Sequence, residues 1–157
     1  MRRSAGILLY RVVDDGAEGG IEVLLGHMGG PFWARKDAGA WTIPKGEHEP
    51  DEDPLSAARR EFEEETGVSL PASDFVDLGE VRQSGSKVVR VWAVEGRLDA
   101  ATLESNTFEM EWPPKSGKTE TFPELDRCEW FDLATARSKT IEAQREFLDR
   151  LEQRPTL

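Results

Sequence analysis

The sequence predicts a single α+β domain. Three observations support this fold class. Strand-like apolar runs alternate with segments of helical periodicity, the length of 157 residues fits one domain, and the chain has neither internal repeats nor a low-complexity linker. We therefore treat residues 1–157 as one domain.

Apolar runs bounded by turn residues mark the predicted strands. They are Ser4–Val12, Ile21–Gly26, Trp41–Ile43, Phe75–Leu78, Lys87–Val94 and Glu129–Phe131. Segments rich in turn formers, glycine, proline or acidic residues are predicted as links and loops. They are Asp14–Gly20, Gly29–Gly39, Gly46–Asp53, Ser84–Ser86 and Trp112–Thr119.

One predicted helix has well-marked ends. Asp53 is a good N-cap residue and Pro54 suits the first helical position. Gly67 is the expected left-handed residue just after the last turn. A second helical segment is predicted at Lys139–Gln153, because its apolar residues recur at helical spacing.

The composition restricts the possible partners and compartments. The 31 acidic and 20 basic residues give a formal net charge of -11, which repels a nucleic-acid backbone and suits metal cations. No stable nucleic-acid partner is therefore expected. The single cysteine, Cys128, cannot form an internal disulfide and is predicted to be a packing residue. No apolar stretch approaches the roughly 20 residues of a membrane-spanning helix, so we expect a cytoplasmic protein with no membrane partner.

The most informative stretch runs from Gly46 to Val68 and is dense in carboxylates. Glu61, Glu64 and Glu65 share one face of the predicted helix, because positions i, i+3 and i+4 are neighbours. Three adjacent carboxylates repel one another unless cations lie between them. Carboxylate oxygens are the hard ligands that Mg²⁺ and Mn²⁺ prefer. A solvated acidic helix face is the alternative that composition alone favours.

The spacing of this stretch resembles the signature of the Nudix, or MutT-like, hydrolase family. That signature is G-x5-E-x7-R-E-U-x-E-E-x-G-U, in which U is a bulky apolar residue. Its fixed positions are all satisfied here, by Gly46, Glu52, Arg60, Glu61, Phe62, Glu64, Glu65, Gly67 and Val68. The resemblance implies an α/β/α sandwich, with a mixed β-sheet between helices and a loop-helix-loop catalytic motif at residues 46–68. It also implies hydrolysis of a phosphoanhydride bond in a nucleoside diphosphate-linked substrate, with Mg²⁺ or Mn²⁺ as cofactor.

The resemblance implies roles for individual residues of this motif. Glu64 and Glu65 are expected to be direct metal ligands. Glu61 is expected to be a further ligand or the carboxylate that orients water. The carbonyl region of Gly46 is expected to face the metal or the phosphates.

Neighbouring residues are expected to support the metal site or to be solvated. Glu52 is expected to support the site and to pair with Arg60, whose guanidinium can hold a carboxylate in a fixed orientation. Glu63 is expected to be a solvated residue that pairs with Arg59 at helical spacing.

Family members often use another glutamate outside this motif, and Glu124 is the candidate metal ligand. It lies six positions before Trp130, a spacing that resembles the extra glutamate of Nudix enzymes acting on dinucleoside polyphosphates. Four other glutamates compete with it, namely Glu80, Glu109, Glu111 and Glu120.

The flanks of the motif bear on the substrate. The run Trp41-Thr42-Ile43-Pro44-Lys45-Gly46 resembles that of Nudix hydrolases of diadenosine polyphosphates and of diphosphoinositol polyphosphates. Predicted phosphate contacts are Lys45, Lys115 and Lys118, and predicted base contacts are Trp33, Trp112 and Phe32. An exposed turn is the alternative for the lysines, and burial in the core is the alternative for the aromatic residues.

The two histidines do not suggest covalent catalysis. His48 is expected at the surface, and His27 either contacts a phosphate or caps the adjacent glycine loop. Neither belongs to a recognisable arrangement of nucleophile and base.

Several functions therefore compete, with hydrolysis of a diadenosine polyphosphate or a related nucleoside polyphosphate as the leading hypothesis. The alternatives within the family are a housecleaning nucleoside triphosphate pyrophosphohydrolase, a diphosphoinositol polyphosphate hydrolase and a 5′-RNA pyrophosphohydrolase. A catalytically silent nucleotide sensor is the alternative from another class. The resemblance also allows a homodimer.

Overall fold

A mixed β-sheet between helices forms the framework of the protein. The computed structural model describes residues 2–13, 20–70 and 74–154, so most of the predicted link Asp14–Gly20 lies outside the described residues. The strands are β1 (Arg2–Val13), β2 (Gly20–Met28), β3 (Trp41–Thr42), β4 (Lys45–His48), β5 (Val76–Ser84), β6 (Lys87–Glu95), β7 (Thr107–Glu111), β8 (Thr119–Pro123) and β9 (Leu125–Asp132). The helices are α1 (Pro54–Thr66), α2 (Leu133–Lys139) and α3 (Arg145–Glu152), with short 3-10 turns at Ala100–Thr102 and Glu142–Gln144. Within the described ranges, every helix is too short or too polar to cross a bilayer.

β1 is the central strand of the seven-stranded sheet. On one side it pairs in parallel with β6, which pairs in turn with β5. On the other side, the first half of β1 pairs with β4 and the second half pairs with β2, both antiparallel. β2 also pairs with β3 and β9. The N-terminal half of β1 therefore lies between β4, which contains Lys45 and Gly46, and the start of β6.

The alternating side chains of β1 enter two separate cores. Ile7 and Leu9 pack in one core with Phe62 of α1. Leu8 packs in the other core with Phe147 of α3. Helices thus cover both faces of the sheet, which confirms the predicted α/β/α sandwich.

Helix α1 begins and ends where its local chemistry predicts. The Asp53 side chain accepts a hydrogen bond from the Ser56 backbone N–H at 3.0 Å, and Pro54 is the first helical residue. Gly67 has a φ of 79°, and its N–H donates to the Glu63 carbonyl at 2.8 Å. These capping bonds satisfy backbone groups that have no partner within the helix.

The predicted loop Gly46–Asp53 is partly a strand, so that prediction is wrong for its first residues. Lys45–His48 forms β4 and pairs with Arg3–Gly6 of β1. The strand lacks apolar alternation because Lys45, Gly46 and Glu47 line a pocket. The residues that follow β4 form the turn that leads into α1.

The predicted helical segment Lys139–Gln153 is divided in two. α2 ends at Lys139, Thr140 is extended, and α3 begins only after the 3-10 turn. The Ile141 backbone N–H donates to the Trp41 carbonyl of β3 at 2.9 Å. That bond replaces the helical one, which interrupts the helix although the apolar spacing continues.

The sequence does not predict the hairpin that β7 and β8 form. Its connection agrees with the predicted loop Trp112–Thr119, except that Thr119 already belongs to β8. The Glu111 carboxylate accepts the backbone N–H groups of Lys115 at 3.0 Å and Gly117 at 3.1 Å. The predicted strands all form, most of them longer than predicted.

Candidate active site

Glutamates from α1, from the corner before β9 and from β4 line one pocket, which we call the carboxylate pocket. Glu61, Glu64 and Glu65 come from α1, and Glu124 comes from the corner between β8 and β9. The pocket has a volume of about 370 Å³. Its other lining residues are Ser4, Lys45, Gly46, Glu47, Lys87 and Asn106.

The packing of α1 determines how deeply each glutamate lies. Phe62 is fully buried against the sheet, which fixes the rotation of the helix. Glu65 is buried, the Glu61 side chain is 13% exposed, and the Glu64 side chain is 40% exposed. The three carboxylates therefore share one face, as predicted, but they range from enclosed to open.

Glycine at position 46 makes room for the Glu61 carboxylate. A Cβ at Gly46 would lie 2.1 Å from Cδ and Oε2 of Glu61, far inside van der Waals contact. The pairing of Gly46 with Ala5 holds β4 against β1, so the strand has no room to retreat. A larger residue at this position would displace the carboxylate.

Burial and mutual repulsion raise the pKa of the pocket's carboxyl groups. Burial raises the pKa of Glu65 to about 9, and the charge of Glu61 adds to this effect while Lys45 opposes it. The pKa of Glu61 is raised by burial and then by Glu64, and the pKa of Glu124 is raised by burial. These carboxylates lack sufficient positive charge from the protein, and a bound cation would supply it.

The donor set of the pocket suits a hard divalent cation, because it consists of carboxylate and carbonyl oxygens. Among the described residues, however, no three His, Cys, Asp or Glu side chains are already grouped to hold an ion. Binding therefore requires side-chain rotation, for which the partly exposed Glu64 has space. The oxygen donors therefore suit the cation chemically, but the side chains are not yet placed to coordinate it.

Lys45 and Lys87 bring positive charge to the edge of the carboxylate pocket. Burial and then the like charge of Lys87 lower the pKa of Lys45, against the opposing effect of Glu65, to about 8. Two neighbouring ammonium groups in a net-acidic protein are suited to bind phosphate oxygens.

Arg60 links Glu52 to the carboxylate pocket. Its Nη2 lies 3.1 Å from Glu52 Oε2, which is the predicted pair. Its Nη1 lies 3.6 Å from Glu61 Oε1 and 3.7 Å from Glu64 Oε1. Glu52 and Arg60 line a separate pocket, and Arg60 contacts the carboxylate pocket through Glu61 and Glu64.

Arg59 does not form the predicted pair with Glu63, and that prediction is wrong. Its Nη2 donates to the Leu70 carbonyl at 3.1 Å, and its guanidinium lies over the Phe75 ring. No Arg59–Glu63 ion pair occurs in the described part of the chain. Glu63 is exposed, as predicted.

Of the five glutamates considered outside α1 and its preceding loop, Glu124 is the one that lines the carboxylate pocket. Its backbone N–H donates to the Asn106 carbonyl at 2.9 Å, which fixes the corner before β9. Glu80 pairs with Arg3, and Glu111 holds the loop of the β7–β8 hairpin. The other two, Glu109 and Glu120, are exposed on that hairpin.

A second pocket of about 470 Å³ continues from the carboxylate pocket, and we call it the Trp33 pocket. The two pockets share Lys45, Glu65, Lys87 and Glu124. The remaining lining residues are Met28, Trp33, Gly39, Thr42, Gln83, Leu125, Ile141 and Glu142. The two pockets form one cleft, with carboxylates at one end and an aromatic ring at the other.

A comparison with protein-family models matches residues 2–151 to the NUDIX domain. The chain belongs to the Nudix family. Its Nudix domain makes it a Nudix hydrolase, a pyrophosphohydrolase. A comparison with curated proteins gives no match.

Solved structures of other Nudix proteins share the fold of this Nudix hydrolase. The Ap4A hydrolase of C. elegans, in a binary complex, is 21% identical with a TM-score of 0.61, over 97% of this chain and 96% of that one. The MutT protein of Methanosarcina mazei is 20% identical with a TM-score of 0.63, and the match covers 99% of this chain and 96% of that one. The NUDIX domain of Shewanella oneidensis NrtR, complexed with ADP ribose, is 15% identical with a TM-score of 0.63, and the match covers 98% of this chain and 88% of that one. At these identities the likeness concerns the fold alone.

Four predicted substrate contacts of the Nudix hydrolase, including Phe32, line neither pocket of the cleft. Trp112, Lys115 and Lys118 belong to the loop of the β7–β8 hairpin and line neither pocket. Both lysines are exposed. Phe32 is 63% exposed and lies edge-on to Trp33, with Lys36 Nζ over its ring.

The two histidines have structural positions. His27 is fully buried, with Nδ1 2.9 Å from Asp126 Oδ1 and Nε2 2.6 Å from the Lys36 carbonyl. It therefore holds the glycine loop through the Lys36 carbonyl, which is one of its two predicted roles. His48 lies near the surface, where its Nδ1 contacts the Glu49 carbonyl and its ring lines the pocket of Arg60.

Sequence reasoning missed several residues that line the cleft of this Nudix protein, chiefly Lys87, Asn106 and Gln83. Lys87 reaches the site because β6 runs parallel to β1, which pairs Lys87 with Arg2 at the end of the sheet that holds β4. Nothing in the local sequence signals that pairing. Asn106 precedes the unpredicted hairpin, and Gln83 lies on β5 near its end.

Proposed function

We propose that this Nudix hydrolase cleaves a phosphoanhydride bond in a dinucleoside polyphosphate, such as a diadenosine polyphosphate, with Mg²⁺ or Mn²⁺. The observation that carries this proposal is the continuous cleft, in which Lys45, Lys87, Glu65 and Glu124 border both pockets. A substrate of this class needs a surface for a base next to positive charge for a phosphate chain. The cleft offers both beside the carboxylates.

The metal site would be built from residues of the carboxylate pocket. Glu61, Glu64, Glu65 and Glu124, with the Gly46 carbonyl, would hold the cation. When bound, the cation would neutralise the diphosphate and lower the pKa of a bound water.

Other groups of the chain would bind and orient the substrate. Lys45 and Lys87 would contact phosphate oxygens, and Trp33 would stack on one base. Arg60 would keep the Glu61 carboxylate in position through its 3.6 Å contact.

The reaction would be attack of water on phosphorus. A new P–O bond forms and a bridging P–O bond breaks, so that the products are two phosphorylated fragments. A carboxylate oxygen of Glu61 or Glu124 would orient the water and take its proton.

Two further considerations support this substrate class. One protein of the same fold is named an Ap4A hydrolase. The net charge of -11 disfavours the long backbone of an RNA substrate.

Contacts from Trp112, Lys115 and Lys118 would require a substrate that reaches the β7–β8 hairpin, and they stay predictions. A homodimer stays a prediction as well.

The test is a comparison of substrates with Mg²⁺, with Mn²⁺ and with a chelator. Diadenosine tri-, tetra- and pentaphosphate should have higher kcat/KM than nucleoside triphosphates, ADP-ribose, nucleotide sugars or inositol pyrophosphates, and the chelator should abolish turnover. Faster cleavage of another class would refute the substrate assignment. Tight binding without turnover would favour a sensor instead.

Substitutions assign the activity to the pocket. Glu64→Gln should lower turnover by roughly two orders of magnitude or more, whereas Glu63→Gln, on the exposed side of the same helix, should not. Glu124→Gln should impair turnover far more than Glu111→Gln, which removes a carboxylate of the hairpin. Equal effects within either pair would contradict the proposed roles.

A further inference from the structure

We infer that Gln83 is a specificity-determining residue that recognises the base of the substrate and favours adenine, an inference that rests on the proposed function. Gln83 lies on β5 and lines the Trp33 pocket. The next residue, Ser84, pairs with Lys87. Gln83 therefore lies beside the residue that pairs with Lys87, and it shares the Trp33 pocket with Lys45 and Lys87. A nucleoside whose phosphates contact these lysines would come within its reach.

The carboxamide of Gln83 has an unused hydrogen-bonding group. Its Oε1 is buried and has no hydrogen-bond partner, although buried polar side-chain atoms in native proteins nearly always have one. Gln144 illustrates the usual case, since its Oε1 accepts the Ile43 N–H at 2.8 Å and its Nε2 donates to Thr42 Oγ1 at 3.0 Å. Both polar atoms of the Gln144 carboxamide therefore have partners within the protein, whereas the oxygen of Gln83 in the cleft has none.

A carboxamide is complementary to one edge of adenine. Its oxygen accepts the N6 amino group while its nitrogen donates to N7. The terminal bond of glutamine rotates easily, so a bound base can bring the enclosed oxygen to face it. Guanine presents two acceptors, O6 and N7, on the same edge and leaves the glutamine oxygen without a donor.

The stacking surface cannot make this distinction by itself. Trp33 can stack on any purine, because every base has a π-face. Glu142, which also lines the pocket, is an acceptor only and is exposed to solvent. Thr42 also lines the pocket, but its hydroxyl already donates to the Ile43 carbonyl at 2.9 Å and accepts from Gln144 Nε2 at 3.0 Å. Gln83 combines a donor with an unused acceptor next to the lysines.

The experiment compares diadenosine and diguanosine tetraphosphate in the native protein, Gln83→Met and Gln83→Glu. Methionine keeps the length of the side chain and removes both hydrogen-bonding groups. The native preference for adenine should be roughly ten- to a hundredfold in kcat/KM. In Gln83→Met the ratio of kcat/KM between the adenine and guanine substrates should fall towards one. The reason is that KM rises for the adenine substrate alone. Gln83→Glu keeps only the acceptor and should retain part of the preference. Gln153→Met, at the exposed end of α3, is the matched control and should behave as the native protein.

An analogue with 7-deazaadenine identifies the contact at the level of atoms. It should be a poorer substrate for the native protein and should make no difference to Gln83→Met, because the partner of N7 is already absent. Equal base preference in the native protein and Gln83→Met, or a native preference for guanine, would overturn the inference.

Binding of AMP and GMP, measured by calorimetry without metal, separates this inference from the proposed function. If no dinucleoside polyphosphate is cleaved, the proposed function fails. A preference for AMP that disappears in Gln83→Met would still establish the role of Gln83. If dinucleoside polyphosphates are cleaved and Gln83→Met keeps the native base preference, the proposed role of Gln83 is refuted and the proposed function is not.

Discussion

Glu65→Gln should stabilise the metal-free protein, and increasingly so as the pH rises. Glu65 is buried, and burial raises its pKa from 4.5 to about 9 in the folded protein. The folded state therefore favours the protonated carboxyl more than the unfolded chain does. That contribution to stability is fully present below about pH 4.5 and is lost as the pH rises towards about 9. Glutamine resembles the neutral carboxyl at every pH.

The magnitude follows from the difference in bound protons. Where the unfolded chain has lost the proton and the folded protein keeps it, stability falls by about 1.4 kcal/mol for each pH unit. Between about pH 6 and pH 8, Glu65→Gln should therefore gain up to roughly 3 kcal/mol over the native protein. Mg²⁺ or Mn²⁺ should reverse the order, because a ligand that binds only the folded state stabilises it, and the variant lacks one ligand.

The assay is urea unfolding at a series of pH values, first with a chelator and then with saturating metal. Glu63→Gln is the matched control, since Glu63 is exposed on the same helix, and it should follow the native protein throughout. Unfolding free energies of the native protein and Glu65→Gln that run parallel across the pH range would refute the buried-charge reasoning. Equal stabilisation of both by metal would remove Glu65 from the ligand set.

Three other predictions follow from single contacts. Gly46→Ala should lose most of its activity while circular dichroism stays native, because the new Cβ would occupy the space of the Glu61 carboxylate; near-native turnover would contradict this. Lys87→Met should raise KM for a dinucleoside polyphosphate roughly tenfold, with a smaller change in kcat, and an unaltered KM would exclude Lys87 from the phosphate path. Cys128 should resist iodoacetamide in the native protein and react after unfolding, because it is buried and burial raises the pKa of its thiol to about 12. Rapid labelling of the folded protein would show that reasoning to be wrong.

Helix α1 could be predicted almost to the residue because its determinants are local. Asp53, Pro54 and Gly67 each act within one turn of the helix end. Their effect on where the helix begins and ends therefore does not depend on distant parts of the chain. The shared face of Glu61, Glu64 and Glu65 follows from helix geometry in the same way. Their unequal burial does not, because it depends on how Phe62 docks against the sheet.

The rest of the cleft depends on pairing between distant segments. Lys45 and Lys87 come together because β4 and β6 flank the same half of β1, one antiparallel and one parallel. No periodicity in either strand specifies its neighbour. For the same reason Trp112, Lys115 and Lys118 could be named as candidates from residue type, but their distance from the cleft could not be foreseen without the β7–β8 hairpin.

Asn106 shows why the placement of Glu124 is beyond sequence reasoning even though the residue itself could be named. The Asn106 N–H donates to the Glu64 carbonyl at 2.7 Å, and the Asn106 carbonyl accepts the Glu124 N–H at 2.9 Å. One residue thus joins the last turn of α1, whose carbonyls have no partner within the helix, to the corner that holds the fourth glutamate. Both bonds are made by backbone atoms, which every residue other than proline possesses. A contact of this kind positions two proposed metal ligands relative to each other and leaves no pattern of side chains in the sequence.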